Sequence, residues 1–155
     1  MTGWIEEKAR QRHALQVQTA KIKANALAIW KALWDAVGEV AEEYQQRFPH
    51  SAEPHEYIDK GPFTHDTVWL EVLYGPAPVI VDRNVKRKLT LTLDQKNCTI
   101  RESCKGQVFR IGVGGNGDVC LMDAAGGISL DEAAERIMAP FLFPDLEESA
   151  RGATT

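Results

Sequence analysis

Residues 3–47 run without a proline, and apolar side chains recur through them at Leu15, Ile22, Ala26, Ile29, Leu33, Val37, Val40 and Tyr44, in steps of three and four after Ile22. That spacing is one face of an α-helix. Alanine, the best helix former, is abundant in the stretch. Phe48-Pro49 stops it, because the residue before a proline is driven out of the helical region. Length is the constraint. Such a helix spans about 68 Å at 1.5 Å per residue, whereas a compact domain of this size has a radius of gyration of about 15 Å and hence a diameter of about 40 Å. Either the helix breaks, with Gly38 its weak point, or its first part projects and needs something to pack against.

The two halves differ. From Ile22 to Tyr44 the apolar stripe is broad and includes Trp30 and Trp34, four apart on one face and expected in the core. From Glu6 to Ala20 it thins to Ala9, Leu15 and Val17 among Gln, Arg and Lys, with Trp4 just before. Trp4, Ala9, Leu15 and Val17 are therefore the candidate interaction residues. Residues 1–20 are the candidate projecting segment of a single domain over 1–146, and 147–155 reads as a frayed tail.

Residues 49–65 form a connector rich in turn formers, closed by Gly61-Pro62. Alternation then marks strands: Val68, Leu70, Val72 and Tyr74; Val79–Val81 after a Gly75–Pro78 break; Leu89, Leu91 and Leu93 against Thr90 and Thr92; Cys98–Cys104; Phe109, Ile111 and Val113; and Val119–Met122. Short connections make them an antiparallel meander. Ser129-Leu-Asp-Glu132 is a capping box for a last helix, which Pro140 or Pro144 ends. The expected fold is α+β: a long N-terminal amphipathic helix, a meander of five to six strands and a short C-terminal helix. The helices lie on one face of the sheet, because half-buried strands need a cover.

Net charge is −4, too small to imply a polyanionic partner, but it is arranged in blocks: +4 over 1–34, −6 over 35–59, −2 over 60–82, +6 over 83–110 and −6 over 111–155. No apolar run approaches the roughly 18 residues that would cross a bilayer. The opening Met-Thr-Gly-Trp-Ile-Glu-Glu does not resemble a signal peptide. Three cysteines, Cys98, Cys104 and Cys120, make poor disulfide arithmetic. The expected compartment is the cytoplasm.

Chemistry is thinly marked. Gly112-Val-Gly114-Gly-Asn-Gly117 matches G-x-G-x-x-G, but a strand follows it rather than a helix N-terminus, so a hairpin loop explains it better than a dinucleotide. His50, His55, Glu56, His65 and Asp66 gather around the connector in no compact metal spacing. An active site, if present, would draw on His55, His65, Asp66 and Glu71. The three cysteines read as small apolar residues. The basic run Arg83, Lys86, Arg87, Lys88, Lys96, Arg101, Lys105 and Arg110 lacks the interleaved aromatics of a single-strand binder and reads as a solvated strand face, or one neutralised by the acidic helices. These features imply a protein-interaction module, self-associating as a homodimer or meeting a protein partner through the N-terminal helix. The alternatives are a small-molecule binder or enzyme with a pocket between helix and sheet, and nucleic-acid binding by the basic strands. No cofactor, metal or membrane is implied.

Overall fold

The computed structural model describes residues 3–48, 56–74 and 85–146. Helix α1 (Gly3–Arg47) is unbroken, Gly38 included. Among the described residues seven strands follow: β1 (Glu56–Lys60), β2 (Thr67–Tyr74), β3 (Val85–Asp94), β4 (Thr99–Glu102), β5 (Val108–Val113), β6 (Val119–Asp123) and β7 (Gly126–Ile128). Helix α2 (Leu130–Leu142) follows β7. The strands pair in chain order, each antiparallel to the next, in one curled half-barrel sheet.

One face of every central strand points at the helices. Val68, Leu70 and Val72 of β2, Leu89, Leu91 and Leu93 of β3, Ile100 of β4, Phe109 and Ile111 of β5 and Leu121 of β6 form a buried lining. Into it pack Ala26, Trp30, Leu33, Trp34, Val37 and Ala41 of α1 and Ala133, Ala134, Ile137, Met138 and Phe141 of α2. Each large side chain so buried contributes about 1.5–3 kcal/mol relative to exposure. Trp30 is wholly buried, and its indole N–H donates to the Thr64 carbonyl at 2.8 Å. Both tryptophans of the C-terminal half are core, as their spacing implied.

The strand count exceeds the expected five to six because two strands are disguised. β1 lies inside what reads as connector; Ile58 packs against the core while its N–H donates to the Gln45 side chain of α1 at 3.1 Å, which satisfies an edge-strand donor. β7 is three residues of Gly-Gly-Ile. The expected Cys98–Cys104 strand is shorter, Thr99–Glu102. Cys98 sits before it at φ 52° and Cys104 beyond it, so the two thiols do not share a strand face. Residues 75–84, with the expected Val79–Val81 strand and Arg83, lie outside the described residues, as do His50, His55 and the tail 147–155.

α2 corrects the sequence in two details. Ser129 Oγ accepts from the Glu132 N–H at 3.0 Å, but the Glu132 carboxylate takes Arg136 at 2.7 Å rather than reaching back. Pro140 lies inside the helix, and it is the other expected stop, Pro144, that stands just past its Phe143 cap. A proline has no N–H for the carbonyl four residues earlier, and that carbonyl, of Arg136, accepts from the Gln107 side chain at 2.9 Å. Arg87 Nε donates to the Phe141 carbonyl at 2.7 Å, supplying a cation and a donor at the helix C-terminus.

Candidate interaction surface

Residues 3–21 of α1 are all exposed, and the first buried residue is Ala26. At 1.5 Å per residue the bare segment extends about 28 Å. Trp4 is 67%, Leu15 62%, Val17 55% and Ile5 52% exposed; Ala9 is exposed as well. The segment stays helical on local terms. Glu7 accepts from the Gln11 side chain at 3.3 Å and meets Arg10 at 2.8 Å, while Glu6 stands in the first turn where the helix dipole favours an anion. The packed body supplies the nucleus from which it propagates. The last tie to the body is Lys21, whose ammonium donates to the Gly117 carbonyl in the β5–β6 loop. That loop is the glycine-rich hairpin: Gly117 adopts φ +86° and donates its N–H to the Gly114 carbonyl.

A groove runs along the other half of α1, between it and α2. Its volume is about 560 Å³; Ala36, Val40, Met138, Ala139, Leu142 and Phe143 make its apolar surface, and Glu39, Glu43, Asp131 and Glu135 its rim. It continues into a hollow of about 180 Å³ beside Tyr44, Arg47 and Phe48. There three rings meet: Tyr44 lies 4.9 Å from Phe48 and 5.7 Å from Phe143, with 6.2 Å between the two phenylalanines. Burial, and then the charge of Glu56, push the Tyr44 hydroxyl above its ordinary pKa, so it stays a neutral phenol. Sequence reading missed this groove. The acidic pairs at i, i+4, Glu39/Glu43 and Asp131/Glu135, mark a charged row on each helix, but nothing in the sequence says that the two rows flank one groove.

Among the described residues, the expected catalytic candidates do not converge. His65 and Asp66 are exposed in the turn ahead of β2, where Asp66 accepts from the Thr64 hydroxyl at 3.1 Å. Glu71 pairs across β2–β3 with Lys88 on the sheet face away from α1, and their side chains stand 3.9 Å apart. His55 lies outside the described residues. Among the described residues no three His, Cys, Asp or Glu side chains come together as a metal site.

Three consecutive residues of the basic run are engaged. Lys86 pairs with Glu56, Arg87 caps α2, and Lys88 lies over the Trp69 ring at 5.4 Å. Arg101 and Arg110 are exposed. Cys98, Cys104 and Cys120 are all free thiols. No described helix is long and apolar enough to cross a membrane. No protein-family model, curated protein or solved structure matches the chain.

Proposed function

We propose that this chain is a cytoplasmic protein-interaction module that self-associates through the projecting N-terminal segment of α1. One observation carries the reading: a helical arm of about 28 Å that holds Trp4, Ile5, Leu15 and Val17 in solvent while burying none of its residues in its own core. Full burial of such side chains would contribute about 1.5–3 kcal/mol each, so a surface that accepted several of them would compensate the entropy of association. Three unpaired thiols suit a reducing compartment.

Light scattering coupled to size exclusion tests the reading on the full chain. The expected result is a dimer whose population falls on dilution, and a monomer for W4S/L15S at the same concentrations. A full chain that stays monomeric from micromolar to near-millimolar concentration sinks it.

A further inference from the structure

We infer that the acceptor for the projecting segment is the acidic α1–α2 groove of a second copy of this chain, docked antiparallel and reciprocally. The inference rests on the self-association reading above and specifies its partner surface.

Charge selects the partner and the direction. Between Glu7 and Asp35, α1 carries Lys8, Arg10, Arg12, Lys21, Lys23 and Lys31 and no carboxylate. From Asp35 onward it carries Asp35, Glu39, Glu42 and Glu43 against Arg47 alone, and α2 adds Asp131 and Glu135 to the groove rim. Two copies of α1 side by side in parallel would set like charges together. Antiparallel, the cationic arm of each lies along the anionic groove of the other.

A seven-residue ladder fixes the register. Lys8, Leu15, Ile22, Ile29, Ala36 and Glu43 follow one another at heptad spacing and so form a single row along the helix. With a two-fold axis between Asn25 and Ala26, Lys8 meets Glu43, Leu15 meets Ala36 and Ile22 meets Ile29, each pair occurring twice. The same register sets Arg12 opposite Glu39 and brings Trp4 to Arg47, beside the ring cluster of Phe48. Ile22 and Ile29 pack in part against the chain's own core and leave half-buried edges at the centre of the row, while the largely buried Ala36 and the exposed Glu43 line the groove itself. A slip of one heptad in one direction opposes Leu15 to Glu43, and in the other Lys8 to Ala36, so either slip loses the charge match. Because the pairing is two-fold, it closes as a dimer and does not propagate into a filament.

Charge exchange tests this in the full chain. All four residues involved are exposed, so the variants retain the core. K8E/R12E carries an anionic arm and an anionic groove; E39K/E43K keeps the cationic arm and places lysines at the two groove positions that face Lys8 and Arg12, while Asp131 and Glu135 stay on the far rim. Each alone is expected to dimerise at least tenfold more weakly than the wild type, because repulsion replaces attraction at every symmetry-related pair. An equimolar mixture of the two is expected to recover a one-to-one heterodimer of near wild-type affinity, since both contacts are then complementary. Circular dichroism and thermal melts of each variant verify that both are folded before mixing. If E39K/E43K dimerises like the wild type while W4S/L15S does not, the groove assignment fails and self-association stands. If both variants weaken and the mixture does not recover, the antiparallel pairing fails. If the wild type is monomeric, or its arm is occupied by a different protein, a second copy is not the partner and the inference falls.

Discussion

Glu102 is the one carboxylate that the fold encloses completely among the described residues, and its partners explain how it is tolerated. Its two oxygens accept from the backbone N–H groups of Cys104 (2.7 Å), Lys105 (3.0 Å) and Gln107 (2.7 Å). A buried anion is costly unless hydrogen-bonded, and here it organises the β4–β5 turn. Glu102→Ala would leave those donors unpaired and is expected to destabilise the protein by about 2–3 kcal/mol, read as a lower urea midpoint at unchanged slope. The same residue raises the Cys104 thiol pKa, after burial as the larger cause, so this thiol is not an activated nucleophile. Asp123 works in the opposite sense. The Arg136 guanidinium that donates to it, and the Ala125 N–H after that, hold its carboxyl below the usual range. A carboxyl depressed on folding stabilises the native state fully above its unfolded pKa, about 4, and loses that contribution as pH falls through the folded value. Asp123→Asn should therefore be less stable than the wild type at pH 7. The gap should narrow from about pH 4 downward, as urea unfolding across that range would register; a gap constant with pH would refute the linkage.

At the scale of elements, Pro140 and Gln107 form a coupled device. The proline frees a carbonyl inside α2, and a side chain from the segment before β5 occupies it. Gln107→Ala should cost about 1 kcal/mol. In a Pro140→Ala background the helix recovers its own N–H and the cost should largely vanish, a coupling that a double-mutant cycle in urea measures directly. Devices of this kind are not legible in a sequence, because they join positions that only the fold brings together. The same reason accounts for β1. Glu-Tyr-Ile-Asp-Lys between Pro54 and Gly61-Pro62 has one aliphatic residue and no clean alternation, and it becomes a strand because β2 pairs along its whole length and Gln45 supports its outer edge. Where the period is strong the sequence sufficed: the Leu89–Leu91–Leu93 face, the Trp30/Trp34 pair and the hairpin at Gly114–Gly117 all stand where alternation, helical spacing and glycine placed them. The basic strands show both outcomes. Neutralisation by the acidic helices was one of two expectations beside a solvated face; Lys86, Arg87 and Lys88 do find partners, but these are Glu56 and Glu71 on neighbouring strands and a carbonyl of α2, and Arg101 and Arg110 stay exposed.

For the whole molecule, the mismatch between a 45-residue helix and the sheet that curls around half of it was readable from chain length and proline placement alone. The groove was not, since it needs α2 laid beside α1, and no periodicity in either helix states that they are neighbours. The consequence for stability follows from mass action. A partner that binds only the folded state raises the apparent stability with its concentration, and in self-association that partner is the protein itself. The thermal midpoint of the full chain should therefore climb as its concentration is raised a hundredfold. The rise should correspond to about 2.7 kcal/mol at most when the final concentration is a hundred times the dissociation constant. W4S/L15S should lack the climb yet match the dilute wild type, because neither side chain is buried in the single molecule. The dependence should weaken at half-molar salt, where exposed charges a few ångströms apart are screened, whereas the apolar core, held by Trp30, Leu33 and the strand leucines, gives the body no comparable sensitivity. A midpoint indifferent to concentration in both proteins would mean that the arm finds no partner among its own kind.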